Sequence, residues 1–311
     1  MRILATGGAG FIGRHVVRGL LDRGHHVCVV DTLLFGQEPP REDERCLFHQ
    51  RDVRDARSLH DIFALFRPTL VMHLAAIHHI PTCEQNPTWA LDVNVIGTQV
   101  VLNAAQAEGC ARLVFASTGA VYDWTEGPLT PGVTPTRPRD VYSVSKVANE
   151  WQLAVWQARV EGTVTIARIF NTVGPGDRNA HLIPEVLSQL RQPLPPSSHE
   201  RVVQIGNSEP KRDYICVEDT ATALVAMAEA DLGSGTHFLN VGTGVEHSVL
   251  EIVESLASAL GVAYRVEVDP RRVRGVDRLH QCADIRDTIK RLRWRPRWSL
   301  ADALRRVVSE G

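Results

Sequence analysis

The sequence predicts an α/β fold, a doubly wound parallel sheet carrying a second, smaller lobe. Strand-length apolar runs alternate with helix-length segments through the first half, and a glycine-rich turn follows the first of those runs. At 311 residues, with 44% hydrophobic and 23% charged side chains, the chain can bury a large core and still build a cap.

Residues 3–6, 26–30, 46–50, 70–74, 112–117 and 163–168 read as strands, and 13–23, 58–66, 88–109 and 143–161 as helices. Parallel neighbours need such crossovers, because a tight hairpin joins only antiparallel strands. Within 88–109, Trp89, Val93, Ile96, Val100 and Ala104 recur at steps of three and four, one face of an amphipathic helix. From residue 171 the texture changes. Gly174-Pro175-Gly176 and Pro193, Pro195 and Pro196 mark loops, 221–230 is helical and 237–241 is a short strand. Helical segments at 249–260 and 299–309 flank an arginine-rich stretch, 271–278. The expected division is 1–170 plus 209–241 for the first lobe and 171–208 plus 242–311 for the second.

A formal charge of −2, from 34 basic and 36 acidic residues, offers no basic surface for nucleic acid or a membrane. No apolar run reaches the ~18 residues of a membrane span, and the first is broken by Gly7-Gly8, too early for a signal peptide. The six cysteines (28, 46, 83, 110, 216 and 282) show neither CxxC nor zinc spacing. No metal is expected, and the cytoplasm is the expected location.

Chemistry concentrates in a few segments. Thr6-Gly7-Gly8-Ala9-Gly10-Phe11-Ile12-Gly13 leaves the first strand and opens the first helix. Glycines there allow a tight turn and let the backbone approach a pyrophosphate seated on the helix N-terminus. The spacing is GxxGxxG, distinct from the usual GxGxxG. Asp31 ends the second strand, where a carboxylate accepts both ribose hydroxyls of adenosine and repels a 2′-phosphate. Thr32 and Leu33 follow it, with no arginine, which favours NAD over NADP. Asp52 and Val53 after the third strand are candidates for the adenine edge.

Tyr142-Ser143-Val144-Ser145-Lys146 is the sharpest signal. The i, i+4 spacing sets Tyr and Lys side by side on a helix. A neighbouring ammonium lowers the phenol's pKa from about 10, each unit being worth about 1.4 kcal/mol, and also offers a donor to a nicotinamide ribose. Only three lysines stand among the 34 basic residues, and only four tyrosines in the chain, so this pairing uses scarce residue types.

Taken with His73-Leu74-Ala75-Ala76, Asn94-Val95-Ile96-Gly97-Thr98, Ser117-Thr118-Gly119-Ala120-Val121-Tyr122, Arg168-Ile169-Phe170-Asn171 and Arg212-Asp213-Tyr214, these motifs resemble the extended short-chain dehydrogenase/reductase family, in its NAD-dependent nucleotide-sugar epimerases and dehydratases. The resemblance spans nearly the whole chain. It implies a Rossmann domain, NAD, a UDP-sugar substrate bound by the smaller lobe, and a homodimer packed through the 88–109 and 143–161 helices. By resemblance, Thr118, Tyr142 and Lys146 form the catalytic triad. Gly7, Gly10, Phe11, Ile12, Gly13, Asp31, Asp52, Val53, Leu74, Ala75, Ala76 and Asn94 are expected to hold the cofactor together with Tyr142 and Lys146. His78, Thr118, Tyr142, Asn171, Arg178, His181, Leu182, Arg212 and Arg274 are expected around the substrate. Among these, Asn171 faces the sugar phosphate, Arg212 and Arg274 grip the diphosphate, and Arg178 meets the carboxylate of a uronate.

Family members that remove water across C5 and C6 carry an Asp-Glu pair after the catalytic Thr. GDP-mannose dehydratases and uronate decarboxylases carry a Glu at the second of those positions. This chain has Gly119-Ala120. The resemblance therefore implies a 4-epimerase working through a 4-keto sugar, with UDP-glucuronate or UDP-glucose favoured. A dehydratase that enlists Asp123 or His78 is the alternative. A non-catalytic NAD-binding sensor is a remote one, since such proteins tend to lose the Tyr or Lys.

Overall fold

The computed structural model describes residues 1–310 apart from 36, 42, 178–181, 195–198 and 274–276. The chain opens with β1 (Arg2–Thr6), α1 (Gly13–Asp22), β2 (His26–Asp31), β3 (Cys46–Gln50), α2 (Ala56–Phe66) and β4 (Leu70–His73). Two short helices, α3 (Ile80–Gln85) and α4 (Pro87–Leu91), lead through a π-helical turn at Asp92–Ile96 into α5 (Gly97–Ala107). Then come β5 (Arg112–Thr118), α6 (Val141–Val160), β6 (Thr163–Ile169), β7 (Asn171–Val173), α7 (Leu182–Leu190), β8 (Arg201–Ile205) and β9 (Lys211–Cys216). The last elements are α8 (Val217–Glu229), β10 (Gly235–Val241), β11 (Glu246–Ser248), α9 (Val249–Leu260), β12 (Tyr264–Val268), β13 (His280–Gln281), α10 (Arg286–Leu292) and α11 (Leu300–Glu310).

Seven strands form the main sheet in the order β10-β6-β5-β4-β1-β2-β3, every neighbouring pair parallel. Helices cover both faces, which is why these strands are apolar throughout rather than alternating. Ile3, Ala5, Val27, Val29 and Met72 bury one face beneath α1 and α8. Leu4, Cys28, Val30, Val71 and Phe115 bury the other beneath α2, α5 and α6. A separate apolar core joins α7, α9 and α11 through Val186, Leu187, Ile252, Leu256 and Leu304.

Two sequence expectations are corrected. The single helix over 88–109 is two helices around a π turn. Three side chains hold that turn: Thr98 Oγ1 and Asn149 Nδ2 donate to the Asn94 carbonyl at 2.6 and 2.9 Å, and Gln152 Nε2 donates to the Val95 carbonyl at 3.1 Å. Apolar spacing carries no information about such polar ties. The lobe boundaries also shift. β9, placed with the first lobe, pairs with β7, β11 and β13 in a second, smaller sheet. Trp294, placed with the second lobe, is buried in the core of the main sheet, with its indole N–H on Thr222 Oγ1 at 2.9 Å.

Behind the C-terminal end of β5, the buried Arg168 guanidinium grips Glu150 through Nη2 at 2.7 Å and Nε at 3.0 Å, and Ser117 Oγ donates to the same carboxylate at 2.6 Å. Removing one partner of a buried ion pair strands the other. Glu150→Ala should therefore lose about 3–5 kcal/mol in urea unfolding, and adding Arg168→Met should restore much of it. A single variant as stable as wild type would contradict this.

Candidate active site

The strand order reverses between β1 and β4, since β2 and β3 lie to one side of β1 and β4 to the other. In open parallel sheets a crevice forms at that point, above the carboxyl ends of the strands. Here it is a cleft of about 1440 Å³ that runs from the glycine loop and Asp31 to Thr118, Tyr142 and Lys146.

The glycines divide their work. Gly7 has a left-handed φ of 70°, and a Cβ on it would stand 2.6 Å from the Ala75 nitrogen. A Cβ on Gly13 would stand 2.1 Å from the Gly7 carbonyl oxygen. Both residues are fixed by backbone packing. α1 begins at Gly13 with no acidic residue in its first turn, so no negative side chain opposes an anion at the positive end of the helix dipole. Phe11 and Ile12 line the same stretch of the cleft. Asp31 accepts from the Ala9 N–H at 3.0 Å and the Leu33 N–H at 2.9 Å, which ties the glycine loop to the end of β2. A carboxylate has about four acceptor positions, so two remain for a ribose diol.

Asp52 and Val53 line the cleft, but the Asp52 carboxylate is already engaged. Arg54 donates to it at 2.6 and 3.0 Å and holds its pKa below the usual range, so any adenine contact there competes with a guanidinium. Leu74, Ala75 and Ala76 form the wall after β4. Below them the fully buried His73 sits in a directed chain of hydrogen bonds. Thr98 Oγ1 spends its proton on the Asn94 carbonyl at 2.6 Å, so at 2.9 Å it accepts from His73 Nε2. His73 Nδ1 then accepts from Thr6 Oγ1 at 2.5 Å, which fixes the neutral tautomer. Burial, with the Lys146 charge nearby, pushes this imidazole down to about 3.

Asn94 lies behind the cleft wall, not on it. Its amide exchanges hydrogen bonds with the Ile77 backbone at 2.7 and 2.9 Å and donates to Ser145 Oγ at 2.9 Å. This network makes the buried side chain a brace between the loop after β4 and α6.

Asp140 caps α6 in a reciprocal box with Ser143, with 2.7 Å from the Ser143 N–H to the Asp140 carboxylate, and so sets Tyr142 in the first turn. The Thr118 hydroxyl lies near enough to the Tyr142 phenol to oppose the rise of its pKa. Thr118 Oγ1 accepts from the Ala120 N–H at 3.1 Å, which leaves its own proton to donate. Lys146 is 2% exposed, donates to the Ala116 carbonyl at 2.7 Å and stands 4.6 Å above the Phe115 ring. Desolvation pushes this ammonium down to about 7, against the attraction of Glu150. Desolvation raises the phenol of Tyr142, against the hydrogen bond to Thr118. The expectation that Lys146 lowers the phenol is thus reversed for the protein alone. The ammonium lies 5.8 Å from the ring centroid, and the burial both groups share outweighs it.

His78 is exposed at the cleft's edge. Asn171 Nδ2 donates to the Asp213 carbonyl at 3.1 Å, and Arg212 pairs with Asp277 at 2.8 Å. Neither residue lines the cleft in this conformation. Leu182 is half-buried and packs against the core of α7, α9 and α11. Arg178, His181 and Arg274 lie outside the described residues. Glu150 and Arg168 escaped the sequence reading as a unit. Its one local signal was Glu150 at i+4 from Lys146.

Lys146 has a pH consequence. Its amine titrates at about 7 in the folded chain and at an ordinary value near 10.5 when unfolded. Between those values the unfolded chain binds more protons, so this residue makes stability rise with pH there. The stability of wild type minus that of Lys146→Met should climb from about pH 7 to about pH 10 in parallel urea titrations. A flat difference would contradict the burial.

A family model described as the NAD dependent epimerase/dehydratase family matches residues 3–242. The UDP-glucose 4-epimerase of Neisseria meningitidis serogroup C is 32% identical over 303 residues, 87% of this chain and 86% of that one. The UDP-glucose 4-epimerase of Thermus thermophilus, solved with NAD, superposes with a TM-score of 0.86 at 31% identity, covering 100% of this chain and 98% of that one. MoeE5, solved with UDP-glucuronic acid and NAD, superposes with a TM-score of 0.86 at 28% identity, covering 99% and 98%. With the switch-point cleft, the glycine loop and the Tyr142–Lys146 pair, these likenesses make the chain a member of the NAD dependent epimerase/dehydratase family.

Proposed function

We propose that this NAD-dependent nucleotide-sugar epimerase inverts C4 of a UDP-sugar of the UDP-glucose or UDP-glucuronate type, through a transient 4-keto sugar. One observation carries the reading. The turn beyond Thr118 carries no acid for an elimination: Gly119 has no side chain, and a Cβ there would press on the Phe170 ring at 3.1 Å. Ala120 adds only a methyl group. Asp123, the candidate substitute, is paired with Arg139 at 3.1 Å and held below the usual carboxylate range, first by the Trp124 N–H and then by Arg139. That occupation removes the main support for a dehydratase.

The residues fit NAD. The acid-free N-terminus of α1 suits a pyrophosphate, Asp31 keeps acceptors for a ribose, and the cleft continues to Lys146. Bound NAD supplies the acceptor that takes the C4 hydride and returns it. Tyr142 receives the C4 hydroxyl proton and gives it back, Thr118 hydrogen-bonds the oxygen that changes charge, and Lys146 balances a phenolate as it forms. The packing around Tyr142 and Lys146 desolvates both.

Tyr142→Phe should cut turnover by ~100-fold or more, the usual worth of an acid–base group, while NAD content survives in denatured extracts. Mass spectrometry of the wild-type reaction should show a product of the substrate's mass. Accumulation of a product lighter by one water or one carbon dioxide would overturn the assignment.

The homodimer belongs to the same proposal. Trp151 is 70% exposed on α6, with Val144 and Val155 exposed along the same face and Ile96 on the neighbouring π turn. This apolar stripe would be covered by its own copy in a second chain. Trp151→Arg should turn a dimer into a monomer in light scattering at micromolar concentration, and a wild-type monomer would refute the pairing.

A further inference from the structure

Arg278 is a buried cation that no carboxylate among the described residues pairs with. It is 5% exposed, Nε donates to the His280 carbonyl at 2.8 Å, and Nη2 donates to the Asp123 carbonyl at 2.7 Å. Nη1 has no acceptor among the described residues and is not one of the buried atoms left without a partner, so that edge of the fork faces accessible space. Around it, Arg139 and Arg137 share the Asp123 carboxylate at 3.1 and 3.8 Å. Arg212 pairs with Asp277 at 2.8 Å and donates to the Arg278 carbonyl at 2.6 Å. Four guanidinium groups therefore meet two carboxylates, and the excess positive charge is held in a partly dry setting. Burial and the charges of Arg212 and Arg139 together push Arg278 down to about 10.

Keeping such a cation unpaired costs free energy unless a ligand supplies the missing charge. The cluster's position says which ligand. Asp123 continues the turn that begins at Thr118, and Arg139 leads into Tyr142, so both segments that carry the acid–base groups end on this cluster. Its other wall is β9 and β13, which Asn171 also touches through the Asp213 carbonyl at 3.1 Å and Gln281 Oε1 at 3.5 Å.

The geometry points to Arg278 as a specificity-determining residue that binds an anionic group of the substrate, the arginines beside it steering that group in. The inference rests on the UDP-sugar reading above. A planar fork with one edge fixed and one edge open suits a carboxylate or phosphate oxygen pair. Two parts of a UDP-uronate have that chemistry, the sugar's C6 carboxylate and the diphosphate.

Arg278→Gln keeps an N–H donor for the carbonyls and removes the charge, and Arg278→Lys keeps the charge and removes the fork. Steady-state kinetics with UDP-glucuronate and UDP-glucose, calorimetric binding of UDP, and Tm should be read for each. We expect Arg278→Gln to raise the KM for UDP-glucuronate by about tenfold or more, the worth of a hydrogen bond to a charged group, with Arg278→Lys between it and wild type. A larger rise for UDP-glucuronate than for UDP-glucose places the anion on the sugar. An equal rise for both, matched by the Kd of UDP, places it on the diphosphate. KM and Kd within twofold of wild type, whatever the Tm, would reduce Arg278 to a strut and overturn the proposal. If wild type turns over neither sugar, the epimerase reading fails, and UDP binding still decides whether Arg278 meets the diphosphate.

Discussion

The site depends on one close approach, that of the turn after β1 to the turn after β4. The Gly7 Cα lies so near Ala75 that no side chain fits between them, and Gly13 is packed as tightly on the Gly7 carbonyl. This contact closes the switch point of the sheet around a glycine loop, with α1 pointing its N-terminus into the cleft. It also brings Thr6 against His73, so a buried polar chain runs beneath the cofactor wall to Thr98 and the π turn. A neutral His73 suits that position, because an imidazolium there would repel Lys146 across the same dry interior.

Burial sets the acid–base chemistry. In water a tyrosine and a lysine would stay a phenol and an ammonium near neutral pH. In the cleft both charged forms are penalised, which favours a neutral phenol beside a neutral amine and widens the gap a proton must cross to give phenolate and ammonium. Glu150 tempers the penalty on Lys146, and Arg168 and Ser117 keep that carboxylate in place. A cationic ring bound beside these groups would tilt the balance toward the phenolate, which is the state that takes a hydroxyl proton.

Sequence patterning gave the main sheet almost residue by residue, because strands buried on both faces are continuous apolar runs and the glycine turn marks the first crossover. It also singled out the Tyr142 and Lys146 pair, since scarce residues at helical spacing are visible in one dimension, while Thr118 came only from the family resemblance. It missed the π turn and the braces from Asn149 and Gln152, which are polar contacts between segments far apart in the chain. It did not foresee that Asn94 braces the loop after β4 against α6. The short strands β7, β9, β11 and β13 were invisible, being two to six residues long and held by partners distant in sequence.

The cleft and the small second sheet are therefore built by different physics. The cofactor wall is backbone packed on backbone, with glycines where atoms touch and apolar layers behind. The second sheet is stitched by polar and charged side chains. Asp213, with no exposed surface, accepts from the Thr243 N–H at 2.8 Å, the Thr243 hydroxyl at 2.6 Å, the Gly244 N–H at 2.9 Å and the Ala283 N–H at 3.1 Å. It joins β9 to the turn after β10 and to the residues after β13 without using a cation. Desolvation still raises its pKa despite these four donors. Its neighbour Arg212 is thereby fixed in direction and spends itself on Asp277. A side chain placed at Gly7 or Gly13 would break the backbone contact that closes the first lobe, whereas the stitches of the second sheet are side-chain contacts that lie apart from it. Change in the second lobe is accordingly the less costly of the two for this fold.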